Sequence, residues 1–97
     1  MPTHEELPRF LRDWERLGPE QRRAFLNALS LFIAGLASQS FASQLRVKRV
    51  QGKPGVWEMT WAADGRATFS YGDEVVAGQP HVIWRRIGSH NIFRRRD

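Results

Sequence analysis

Two hydrophobic patterns divide the chain. Apolar residues recur every three or four positions up to about residue 36, and they alternate from residue 45 onward. Phe10, Leu11, Trp14 and Leu17 fall on one side of a helix, with Arg9, Arg12, Asp13, Glu15 and Arg16 filling the rest. Pro8 suits its first turn, and Gly18-Pro19 ends it. Pro19 opens a second helix, where Glu20 suits the positive end of the helix dipole. Its apolar stripe runs through Phe25, Leu26, Ala28, Leu29, Phe32, Ile33 and Leu36, up to a polar break around Phe41. So short a turn between two helices predicts a helical hairpin.

Four strand-like segments follow. Leu45 to Val50 alternates and meets a turn at 51–55. Val56 to Trp61 alternates up to Asp64-Gly65, a strong hairpin signal. Arg66 to Tyr71 is the third. A loop with Gly72, Gly78 and Pro80 leads to the last, His81 to Ile87, which is expected to break at Gly88-Ser89. Residues Pro2 to Leu7 predict no more than a stub of extended chain. Helices followed by strands predict an α+β fold, residues 1–97 forming one domain. The helical hairpin is expected to pack on one face of an antiparallel sheet of about four strands.

Side-chain parity then sorts the strands. Trp57, Met59 and Trp61 share a side and read as core, as do Ala67, Phe69 and Tyr71. Arg46, Lys48, Glu58, Thr60, Arg66, Thr68 and Ser70 are expected to line the opposite, open face. The last strand defeats this rule. Val82, Trp84 and Arg86 share one side and His81, Ile83, Arg85 and Ile87 the other, so both sides mix apolar and cationic residues. Periodicity leaves open whether Arg85 or Arg86 joins the open face.

Charge sharpens the picture. The net charge is +5, and residues 1–44 balance five Arg against five acids. The second part carries ten Lys and Arg against five acids, hence the whole excess. A neutral scaffold followed by a basic sheet suggests a polyanion-binding surface. The chain has no cysteine, which excludes disulfides and thiolate chemistry in it and fits a reducing compartment. No apolar run has membrane-spanning length, and the N-terminal residues do not read as a secretory signal, so a cytoplasmic location is expected. The run Arg94-Arg95-Arg96 reads as a solvated tail.

The chemistry concentrates near the C-terminus. His90 brings a side chain able to exchange protons near neutral pH, beside Arg85, Arg86 and Phe93. A proton carrier, fixed positive charge and a ring suit chemistry on a phosphodiester. Glu58 reads equally as a structural ion-pair partner or as a proton acceptor. His4, His81 and His90 lack ligand-like spacing, so no metal site is expected. Ser89 beside His90 lacks a nucleophile-elbow pattern.

The segments Leu-Arg-Val-Lys-Arg-Val-Gln-Gly (45–52), Val-Trp-Glu-Met-Thr-Trp-Ala-Ala-Asp-Gly-Arg (56–66) and Trp-Arg-Arg-Ile-Gly-Ser-His-Asn-Ile-Phe (84–93), after a helical hairpin, resemble the RelE/ParE superfamily of bacterial toxins, and within it the RelE, HigB and YafQ side. The similarity covers about residues 9–93. It implies the toxin of a type II toxin–antitoxin pair, a cofactor-free and metal-independent endoribonuclease that cuts mRNA at the ribosomal A site. Cleavage would proceed by attack of the 2′-hydroxyl on the adjacent phosphate. By motif position His90 is then a general acid or base, Arg86 and Arg66 hold the phosphate, Lys48 stabilises charge, and Glu58 accepts the 2′-hydroxyl proton. Arg46, Arg49, Lys53, Arg85 and Phe93 are candidate RNA contacts, Phe93 by packing on a base. The implied partners are mRNA, the ribosome and a cognate antitoxin, with no membrane. Two departures stand out: the opening strand is nearly absent, and His90 and Phe93 stand where some members use a C-terminal tyrosine. The competing reading is a non-enzymatic binder, either a ParE-like gyrase poison or a basic RNA-binding module, which needs the basic patch but not His90.

Overall fold

A computed structural model describes residues 1–94; Arg95 and Arg96 of the basic run lie outside the described residues. Two helices pack on one face of a five-stranded sheet. The elements run β1 (Thr3–Glu6), α1 (Pro8–Glu15), α2 (Pro19–Ser38), β2 (Lys48–Arg49), β3 (Trp57–Thr60), β4 (Gly65–Gly72) and β5 (His81–Ser89). Short 3-10 turns occupy Ser43–Leu45 and His90–Arg94. The spatial order is β1-β5-β4-β3-β2, with β1 parallel to β5 and the other neighbours antiparallel.

The helix pair and its apolar stripe are as the periodicity predicts. Phe25, Ala28, Phe32 and Leu36 are buried, and the ring of Phe32 packs within 4.9 Å of Phe69 and 5.1 Å of Trp84 between centroids. Leu26 and Ile33 of the same stripe are exposed. Arg22 ties the hairpin, donating from Nη2 to the Trp14 carbonyl at 3.0 Å with its guanidinium over the Trp14 ring. On the sheet, Met59, Ala67 and Phe69 are wholly buried beneath the helices. Burying such a side chain contributes about 1.5–3 kcal/mol each for the larger ones, and these aromatic layers dominate the core.

Three expectations are corrected. The sheet has a fifth strand, and it is mixed rather than wholly antiparallel: Thr3–Glu6 does pair, despite its polarity. It is an edge strand held by side chains as well as backbone. His81 is buried, with Nδ1 2.7 Å from the Thr3 hydroxyl and Nε2 2.9 Å from Glu5 Oε1. Second, the segment Leu45–Val50 is not one strand. Leu45 ends a 3-10 turn and Arg46 adopts a left-handed backbone at φ 46°, so only Lys48 and Arg49 pair with β3. Third, the last strand does not break at Gly88-Ser89 but runs through both to Ser89.

The same strand explains why parity failed. Phe69 pairs with Trp84 and its neighbour Thr68 with Arg86, so Arg85 is an extra residue with no partner. This β-bulge shifts the alternation by one. Val82 and Trp84 face the helices before it, Ile87 faces them after it, and Arg86 is released to the open face beside Thr68.

Candidate active site

One row of side chains crosses the open face. Lys48 pairs with Glu58, Glu58 with Thr68, and Thr68 with Arg86, so four adjacent strands each contribute one residue. Directly paired residues put their β-carbons about 4.5–5.5 Å apart, which makes the row a continuous polar floor. The 3-10 turn after β5 adds a wall. Gly88 makes this possible: a β-carbon there would meet Ile92 Cγ2 at 2.9 Å, so glycine lets the turn close back over the strand. The His90 backbone N–H donates to Asp64 Oδ1 at 3.4 Å and the Asn91 N–H to Ser89 Oγ at 3.2 Å, which tie the turn to the β3–β4 connection and to its own start.

Floor and wall enclose a cavity of about 310 Å³ lined by Lys48, Lys53, Glu58, Thr68, Arg86, His90 and Phe93, with Val50, Val56 and Ile92 as its apolar part. His90 is exposed and meets Phe93 edge-on at 5.2 Å between ring centroids. The cavity thus combines a carboxylate, an imidazole, several cations and an aromatic ring around a space of nucleotide size.

Arg86 is the most constrained member. Its side chain is nine-tenths buried, and Nε donates to Asp13 Oδ2 at 2.7 Å and Nη2 to Oδ1 at 3.3 Å. The same Asp13 carboxylate accepts the Ile87 backbone N–H at 3.1 Å. Strand β1 ends its pairing at Glu6, opposite Trp84, and Asp13 takes over the exposed edge of β5 just beyond. The paired charges hold the guanidinium plane in one orientation.

The structure brings six of the ten predicted site residues to this cavity: Lys48, Lys53, Glu58, Arg86, His90 and Phe93. It places the other four elsewhere. Arg66, paired with Thr60 and Gly88, lies one row further along the same face and lines a neighbouring cavity with Arg46. Arg49 turns to the helix side of the sheet, its guanidinium 5.2 Å from the Trp57 ring centroid. Arg85 occupies the bulge, with Nε buried and without a partner among the described residues. Two contributors were not among the sequence candidates. Asp13 looked like one more charge on a helix surface, and only the long-range contact reveals its role. Thr68 was assigned to the open face by parity, but its hydroxyl also proves buried, with no partner among the described residues.

Comparison with known proteins points in one direction. No family model matches the sequence, and no curated protein sequence matches it significantly. Solved structures do match. The YafQ toxin of the Escherichia coli DinJ–YafQ toxin–antitoxin complex superposes with a TM-score of 0.65 at 14% identity, covering 94% of each chain. In the RelB–RelE antitoxin–toxin complex from Methanococcus jannaschii the values are 0.60 and 15%, over 92% of this chain and 93% of that one. A YoeB/ParE toxin from Agrobacterium tumefaciens gives 0.64 and 13%, over 91% and 98%. The chain therefore has the fold of the RelE/ParE-superfamily toxins.

Proposed function

We propose that this protein is the toxin of a type II toxin–antitoxin pair and cleaves mRNA in the cytoplasm, on the ribosome, without a metal cofactor. The observation that carries the reading is the convergence of Glu58, His90, Arg86 and Lys48 on one cavity of the open face. The neighbours crystallised with antitoxins, DinJ and RelB, support an antitoxin as partner here.

In the proposed reaction Glu58 takes the proton from a ribose 2′-hydroxyl. The freed oxygen attacks the adjacent phosphorus, forming the O2′–P bond as the P–O5′ bond breaks. His90 delivers a proton to the departing 5′-oxygen. The products are a 2′,3′-cyclic phosphate and a 5′-hydroxyl, and atoms and charge balance without a further reactant. Positioned proton transfer of this kind typically contributes about 10²–10⁴ in rate. Arg86, oriented by Asp13, and Lys48 stabilise the charge that builds on the phosphoryl oxygens, and the Thr68 hydroxyl donates to one of them. Lys53 adds attraction for the strand. Phe93 stacks on a base, a contact of about 1–3 kcal/mol.

Incubating mRNA with the purified protein, with and without ribosomes, and mapping the cut ends by primer extension tests this reading. Discrete cuts are expected, enhanced on ribosomes. Intact RNA in both conditions, together with growth arrest in cells, would favour the non-enzymatic binder.

A further inference from the structure

The proposed catalytic cavity has a polar lining residue that the cleavage chemistry does not use. Gln51 lines it beside Lys48 and Glu58, and among the described residues around the cavity it carries the one side-chain amide. The side chain is exposed and makes no hydrogen bond with any described residue. An uncommitted amide presents donors and an acceptor side by side. A phosphate can use only the donors, whereas the edge of a base can use both.

The backbone fixes the place of Gln51. The Lys53 N–H donates to the Val50 carbonyl at 3.2 Å and the Val56 N–H to the Lys53 carbonyl at 3.1 Å, so residues 50–56 form two successive β-turns. Gly52 and Gly55 hold the third position of each, at φ 81° and 76°, the left-handed conformation that a type II turn requires there. Pro54 presets the second position of the second turn. Gln51 is the corresponding corner of the first. The loop's shape is thus set by two glycines and a proline, and the Gln51 side chain is left over for a ligand.

Next to this loop the open face becomes apolar. Val50 and Val56 lie two residues beyond Lys48 and Glu58 on their strands and share their face, and the Val50 N–H donates to the Val56 carbonyl at 2.9 Å. Val56 is buried although it lies on the face away from the helices. Ile92 and Phe93 of the 3-10 turn line the same cavity. The cavity therefore joins a charged part, suited to a phosphate, to an apolar part with an aromatic ring, suited to the flat surface of a base.

We propose that Gln51 determines sequence specificity: a base flanking the cut occupies the apolar part of the cavity, and the Gln51 amide reads its edge and selects adenine. Adenine presents the N6–H donor and the N7 acceptor at a spacing that one amide answers with two hydrogen bonds. Guanine offers two acceptors on the same edge, O6 and N7, and leaves the amide oxygen without a donor. A pyrimidine brings only one ring to the apolar part. The inference rests on the RNA-cleavage reading above and adds what the site selects.

The test measures cleavage of short mRNAs, free and bound to ribosomes, with the bases on either side of a mapped cut varied in turn. The wild-type protein is expected to cut about 10- to 100-fold faster with adenine than with guanine at one of the two positions, the discrimination typical of a bidentate contact. Gln51→Ala should level that ratio. Gln51→Arg, whose guanidinium matches the two acceptors of guanine, should reverse it. Replacing the selected adenine by 7-deazaadenine, which lacks the N7 acceptor, should slow the wild-type protein and leave Gln51→Ala unaffected. Asn27→Ala, at an exposed position on α2, is the control and should keep the wild-type ratio. An unchanged adenine-to-guanine ratio in folded Gln51→Ala, or a wild-type protein that cuts with no base preference at either position, overturns the role of Gln51 and leaves the nuclease reading standing. Failure of the wild-type protein to cut any of these RNAs overturns both.

Discussion

The two faces of the sheet are built from alternate residues of the same strands, yet they follow opposite rules. Beneath the helices, Met59, Ala67 and Phe69 exclude solvent completely and are joined by Phe32 and Trp84 in an aromatic layer. One residue away along each strand, Glu58, Thr68 and Arg86 form a polar row open to a cavity. The first face gains stability by removing apolar area from water. The second holds polar groups around a cavity, among them a buried hydroxyl with no partner among the described residues. A protein that keeps such groups together gives up stability at that place, as functional sites do.

The comparison can be broken from either side. On the helix face, Phe69→Ala is expected to cost about 3–5 kcal/mol in urea unfolding, because a large ring leaves a cavity in a packed layer. Asp13→Ala tests the link between the faces. Removing one partner of a buried pair strands the other's charge, typically at about 3–5 kcal/mol, so this substitution of a helix residue should unfold the protein nearly as readily as a core truncation. Full stability after it would show that Arg86 does not depend on α1. Gly65→Ala should cost less, about 1–3 kcal/mol by overpacking, since its β-carbon would sit 2.6 Å from Trp61 ring atoms. The smallest effect on folding is expected from Phe93→Ala on the open face. Its signature is instead a weakening of RNA binding by about 1–3 kcal/mol with an unchanged denaturation midpoint.

What local sequence carries, and what it does not, follows the same division. The helices were legible because an apolar stripe at period 3.6 needs only neighbouring residues, and β3 and β4 because alternation is equally local. Strand β1 was not, since Thr-His-Glu-Glu has no apolar side to signal; it is a strand only because β5 and His81 are waiting for it. The bulge at Arg85 was invisible for a related reason: a register shift is a property of the pair Phe69–Trp84 and Thr68–Arg86, not of either strand. His90, Glu58, Lys48 and Arg86 were identified from residue type and motif, and the fold does bring them to one cavity. Asp13 escaped notice because its partner lies 73 positions away in the chain.

The central claim is that Glu58 and His90, on the polar face, move the protons of RNA cleavage. The most direct measurement is the single-turnover rate of mRNA cutting in the presence of a metal chelator, with product ends identified, for wild type, Glu58→Gln and His90→Ala of verified fold. The account expects a 2′,3′-cyclic phosphate from the wild-type protein and rates at least about 10²-fold lower from each variant. Wild-type rates in both folded variants, or cutting that stops when the chelator is added, would contradict it.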